Sequence, residues 1–186
     1  VPRDHVVGAT GVLQNGTEVL TEAQRERLAR ARTTAETVLV VGPDEVGAAS
    51  TRPAGDGPLT WKYRAENVRT FAWASSRAFV WDAAAVDGDA SKQDGTLAMS
   101  LYPRDAMPLW SESTDMLRFA IEDYNAQWYP YPYPIAINVN GIVPGMEYPM
   151  IIFCAERRDR YDLYSVTTHE IGHNWFPMLV NTDERR

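Results

Sequence analysis

Val166-Thr167-Thr168-His169-Glu170-Ile171-Gly172-His173-Asn174-Trp175 is the stretch around which the chain is organised. It contains H-E-x-x-H, two histidines four residues apart with a glutamate directly after the first. On an α-helix four residues advance about 400°, so His169 and His173 leave one face, one turn apart. At that separation two imidazoles can share one tetrahedral zinc, each with a Zn–N distance of about 2.0–2.1 Å. Glu170 is turned about 100° from His169, beside the metal rather than on it. From there it can take a proton from a zinc-bound water. The plainer reading is an amphipathic helix carrying two partly buried histidines.

Composition narrows the remaining classes. The chain has 186 residues, 45% hydrophobic and 23% charged, the balance of an ordinary globular protein with one good core or two small ones. A net charge of −7 argues against nucleic acid and against anionic membrane surfaces as partners. The single cysteine, Cys154, excludes an internal disulfide and sits in an apolar run, where a small buried hydrophobe is the default. No apolar run approaches the ~18–20 residues that span a bilayer. No signal peptide is read at the start, and Val1 is not read as a natural first residue.

In chain order, residues 1–20 read as strand and turn, with Gln14-Asn15-Gly16 as a turn. Thr21-Glu22-Ala23-Gln24 has capping-box spacing and opens a helix to about Arg32, whose arginines Arg25, Arg27, Arg30 and Arg32 read as a solvated face. Thr37–Val41 reads as a strand, and residues 42–58, rich in glycine and proline, as a loop or linker. Leu59–Arg64, Val68–Ala74 and Ala78–Trp81 read as strands. The polar run from Asp87 to Ser91 places a domain boundary near 88. Thr96–Tyr102, Ile135–Val139 and Met150–Phe153 are further strands. Between them Met116, Leu117, Ala120, Ile121, Tyr124 and Trp128 recur at helical spacing and predict a core-facing helix over 112–128. Tyr129-Pro130-Tyr131-Pro132-Tyr133-Pro134 cannot continue that helix and predicts a stiff, packed connector. The His169 helix is expected to end near Pro177, and Thr182-Asp183 reads as the cap of a further helix.

An H-E-x-x-H site needs a third protein ligand. The metzincin continuation is absent, since Phe176 stands where its glycine would be and no later histidine exists. The sequence resembles instead the M1 family of zinc aminopeptidases, the gluzincins of the aminopeptidase N and leukotriene A4 hydrolase type. Trp175-Phe176 match the pair that follows the family's zinc motif. About two dozen residues upstream, Pro144-Gly145-Met146-Glu147-Tyr148 stands where the family carries G-x-M-E-N, with Tyr148 in place of asparagine; Gly-Met-Glu-Tyr-Pro is similar to a variant of a bacterial branch. Tyr129–Pro134 and Asn67–Ala74 also match family segments.

The resemblance implies an α+β fold: the end of an N-terminal β domain over 1–88, then over 89–186 the first half of a thermolysin-like catalytic domain with a mixed sheet. In the family a glutamate eighteen intervening residues past the second histidine is the third zinc ligand, which would fall at position 192, beyond Arg186. The chain is therefore expected to be a fragment, inactive alone, whose partner is the rest of that catalytic domain. Glu184 as a substitute ligand is disfavoured, because it would need a very tight turn across Pro177.

The activity implied is release of N-terminal residues from peptides with a free N-terminus. One zinc on His169 and His173 polarises the scissile carbonyl, and Glu170 acts as general base. Glu147 pairs with the substrate α-ammonium, and Gly145 and Met146 line the substrate site. An exported or cell-surface bacterial location is slightly favoured by the resemblance alone. The plainer reading of Glu147 is an edge-strand surface charge. Two alternatives stand beside the aminopeptidase reading: a thermolysin-type zinc endopeptidase, and a noncatalytic scaffold that has lost the zinc.

Overall fold

The computed structural model describes residues 1–48, 51–92 and 95–181. Its centre is a six-stranded mixed sheet. In chain order its strands are β3 (Val38–Val41), β6 (Phe79–Ala85), β7 (Leu97–Pro103), β8 (Ile135–Asn140), β9 (Met146–Tyr148) and β10 (Ile151–Cys154). In space they lie in the order β3-β6-β7-β8-β10-β9. β7, β8 and β10 run parallel, and antiparallel neighbours flank them on both sides. The central strands are buried on both faces, which is why Leu97–Tyr102 and Ile135–Val139 carry few polar residues.

Two long helices cover one face. α3 (Ser113–Gln127) makes the crossover between the parallel strands β7 and β8, and α4 (Arg160–Gly172) follows β10. The stripe on α3 packs inward at Met116, Leu117, Ala120 and Ile121. Trp128 departs from it: the helix has ended, and the ring is 47% exposed, stacked on Tyr124 at 4.3 Å between centroids. α4 starts at an Asp159 N-cap that accepts from the Asp162 amide.

The other face carries the N-terminal third. β1 (Val6–Ala9) pairs with β5 (Trp73–Ser76), and β2 (Val12–Leu13) with β4 (Tyr63–Arg64), as two small antiparallel sheets. Gly8 lies so close to Leu101 that a β-carbon there would overlap its side chain. α2 (Glu22–Ala31) opens with the full Thr21/Gln24 capping box and packs beside β3 and β6.

Several readings change. Gly16–Val19 is a short helix, α1, rather than only a turn. Strand structure in 68–76 begins only at Trp73, while β6 runs on to Ala85, through an alanine-rich stretch of weak strand propensity. The polar run near 88 is the connection of a hairpin, since β6 and β7 pair in register from Phe79↔Pro103 to Ala85↔Leu97 across it. β3 and β6 thus share one sheet and one continuous core with β7–β10. Of the α2 arginines only Arg30 is well exposed; Arg27 bonds Glu45, and burial pulls the Arg32 guanidinium below its usual range. α4 ends at Gly172, five residues before Pro177, because the amides of Asn174 and Trp175 turn back to the carbonyls of Ile171 and Gly172.

The α3/α4 face of the sheet holds a buried polar chain. Tyr102 and Thr114 donate to the two oxygens of Asp82 at 2.6 and 2.5 Å. Thr114 Oγ1 lies 2.8 Å from Ser100 Oγ, which is 3.1 Å from Ser113 Oγ. Asn138 Nδ2 donates to Ser113 and to Thr167 of α4, both at 2.9 Å. The chain ties three strands and both helices together beneath the H-E-x-x-H turn.

Burial pushes the Asp82 carboxyl up to about 7, more than its two hydrogen bonds lower it. The folded protein therefore keeps a proton that the unfolded chain releases near pH ~4. The associated stability is complete below the unfolded value and is lost as pH rises toward 7, at up to ~1.4 kcal/mol per pH unit. Urea unfolding at pH 5 and pH 7.5 should show this loss, and Asp82→Asn should flatten it. An unchanged slope in the variant would exclude Asp82 as its source.

Candidate metal and peptide site

The last two turns of α4 and the edge strand β9 meet at one end of the sheet. His169 and His173 face the same way, and their Nε2 atoms are 3.2 Å apart. Two nitrogens on a tetrahedral zinc stand ~3.3 Å apart at ordinary Zn–N lengths. His173 Nδ1 is 2.8 Å from the Phe176 carbonyl. Donating there, it leaves the Nε2 lone pair facing His169 Nε2, the tautomer that ligating histidines adopt. The same distance suits an N–H of His169 donating to His173 Nε2.

Glu170, one residue on, points under β9 and is 6% exposed. Burial raises its carboxyl above the ordinary range; the charges of His169, His173 and Arg157 act in the opposite direction, while Glu147 adds to the rise. Gly145 explains how the carboxyl fits: a β-carbon at that position would overlap Glu170 Oε1. What lies against Gly145 is therefore the Glu170 side chain.

Glu147 is the middle residue of β9, opposite Ile152 of β10, on the outer edge of the sheet. Ligand atoms of Glu147, Glu170 and His173 all lie within 4.8 Å of one another. The structure thus brings together His169, Glu170, His173, Gly145 and Glu147, with Met146 beside them on β9. The residues fit a divalent cation held by the two imidazoles, with two carboxylates in its immediate surroundings. Thr182, Asp183 and Glu184, and with them the further-helix cap and the substitute ligand, lie outside the described residues.

Two supporting residues were not read from the sequence. Thr167, one turn before Glu170, anchors α4 to Asn138; only its spacing from the motif marks it. Asn174 is fully buried directly after His173, and a polar residue beside the zinc motif carries no pattern of its own.

Gly145→Ala should lower turnover at least tenfold by displacing Glu170, in line with the sensitivity of catalysis to ~1 Å misplacement. Gly141→Ala, whose added carbon would meet Phe153 at an ordinary 3.5 Å, should not. Steady-state rates of the two variants check this, and equal rates would remove the packing argument.

Comparison with protein-family models and with curated proteins returned no match.

Proposed function

We propose that the protein is a zinc-dependent aminopeptidase of the M1 type, hydrolysing the first peptide bond of peptides with a free N-terminus. The observation that carries the reading is the charge arrangement. Two imidazoles converge through Nε2, where a shared Lewis acid is favoured, and the carboxylates of Glu147 and Glu170 lie within 4.8 Å of each other and of His173, where a further positive charge is favoured. A divalent metal answers the first need. An ammonium at Glu147 answers the second, because a cation beside two neighbouring carboxylates is attracted by both.

His169 and His173 would hold the zinc through Nε2. When bound, zinc supplies Lewis acidity, polarising the scissile carbonyl and acidifying water. Glu170, shielded by β9, accepts the proton of the attacking water at Oε1 or Oε2 and delivers it to the leaving nitrogen. Burial raises its carboxyl above the ordinary range, which makes it a stronger base toward that water. Glu147, at a fixed distance from the histidines, accepts hydrogen bonds from the substrate α-ammonium and so places the first peptide bond at the reacting centre. Among the described residues, edge strand β9 pairs with β10 on one side only, leaving backbone groups for an extended peptide on the other.

The test is kinetic. In the full-length protein, Glu147→Ala should retain zinc and lose most release from unblocked peptides. Acetylated peptides cut as fast as free ones by the wild type would assign the site to an endopeptidase, and a protein that holds no zinc would assign it to a scaffold.

A further inference from the structure

We infer that Asn174 is the positioning residue that fixes the distance between the amine anchor Glu147 and the histidine pair, and thereby sets the preference for a free N-terminus. The inference rests on the aminopeptidase reading above. It starts from a weakness in the fold. β9 has three residues, sits at the sheet edge, and is joined to β10 by the two-residue turn Pro149-Met150. A short edge strand on a tight turn is a poor foundation for a charge whose position matters to a fraction of an ångström. Met150 adds to the difficulty, because its φ of +68° is in the left-handed region and costs about 1–2 kcal/mol for a residue with a β-carbon.

The turn is nevertheless held from several sides. Asn174 Oδ1 accepts from the Met150 amide at 3.0 Å, and Asn174 Nδ2 donates to the Tyr148 carbonyl at 3.4 Å. The Tyr131 hydroxyl is 3.2 Å from Asn174 Oδ1, which orients the amide. Thr10, from the opposite side, donates to the Pro149 carbonyl at 3.0 Å, and the Ile137 amide donates to the Met150 carbonyl at 2.8 Å. One of these clamps differs from the rest. Asn174 is covalently next to His173, so the side chain that grips the residue after Glu147 belongs to the residue after a metal ligand. Thr10 and Ile137 fix the turn to the body of the protein, whereas Asn174 fixes it to the metal site. A buried amide with 0% exposure whose oxygen and nitrogen are both used across this gap is a spacer, since losing it leaves a buried amide N–H without an acceptor and lets the turn relax.

The experiment uses the full-length protein and three variants: Asn174→Ala, Asn174→Asp and Thr10→Val. Zinc content is measured by metal analysis. The values of kcat and KM are measured for an aminoacyl anilide and for its N-acetylated counterpart. Asn174→Ala is expected to keep one zinc, to raise KM and lower kcat/KM for the free amine by roughly 10–100-fold, and to leave the slow acetylated reaction unchanged. The free-to-blocked ratio then falls. Asn174→Asp keeps the acceptor for Met150 and should recover part of the ratio. Thr10→Val loosens the same turn without touching α4 and should shift the ratio the same way by a smaller factor. Zinc loss, or equal losses on both substrates, would reduce Asn174 to a fold-stabilising residue and overturn the inference. Should Asn174→Ala not fold, a wild-type ratio in Asn174→Asp, which removes the Nδ2 donor to the Tyr148 carbonyl, overturns it. A wild type without preference for the free amine brings down the aminopeptidase reading itself, and the inference with it. The two failures are therefore told apart by the wild-type measurement.

Discussion

Glu170→Gln in the full-length protein should keep the fold and the metal and lose turnover by about 10²–10⁴-fold, the usual effect of removing a general base. The amide is nearly isosteric with the carboxylate it replaces, so the close packing against Gly145 survives. What disappears is the capacity to accept a proton beside the histidines, because the proposed reading assigns His169 and His173 to the metal and the neighbouring Glu147 to the substrate amine. Zinc content by metal analysis and initial rates on an aminoacyl anilide check the two halves of the statement separately. Near-normal turnover with metal bound would take Glu170 out of the mechanism. Turnover lost together with the metal would show that Glu170 is a ligand, a role its place within 4.8 Å of His173 and Glu147 also permits.

The histidine pair was legible because helical geometry alone fixes it. Positions i and i+4 share a face whatever the surroundings, and the Nε2 atoms do converge. The helical stripe of Met116, Leu117, Ala120 and Ile121, the capping box at Thr21 and the strands Leu97–Pro103 and Ile135–Asn140 were legible for the same reason: each is a local periodicity or a local hydrogen bond. The boundary near 88 was misread because polarity marks a turn without saying whether the strands on either side pair with each other. Here they do, over seven residue pairs. Asp82 was invisible for the complementary reason. A carboxylate in a strand reads as an edge or solvent position, yet its partners Tyr102 and Thr114 come from other elements, twenty and more residues away. The same holds for Asn174, whose three partners lie on the connector and the β9–β10 turn. Long-range polar partnerships have no signature in a single sequence; only the apolar pattern and the local caps do.

Trp175→Ala should destabilise the protein by about 3–5 kcal/mol, the usual cost of deleting a fully buried tryptophan. The indole is 1% exposed and its Nε1–H donates to the Tyr129 carbonyl at 2.6 Å. Its ring meets Tyr124 of α3 edge-on at 5.3 Å, Tyr131 of the connector at 5.2 Å and Trp128 at 6.0 Å. One side chain thus joins the segment after α4, the end of α3 and the tyrosine-proline connector, three pieces that share no strand pairing. Removing it leaves a cavity among groups whose own backbones cannot collapse, because Pro130, Pro132 and Pro134 stiffen the connector. Trp175→Phe keeps part of the aromatic contact and forfeits the hydrogen bond, worth about 0.5–1.5 kcal/mol net, so it should fall between wild type and alanine. Because Trp175 follows Asn174 and His173 directly, the loosening should reach the metal ligands, and zinc affinity should drop in the alanine variant even below its unfolding midpoint. Urea titrations with and without zinc measure both effects. A loss under 1 kcal/mol would mean that the connector and α3 are held together by something other than this ring. Unchanged zinc affinity in a clearly destabilised variant would show that the histidine pair is set by α4 alone.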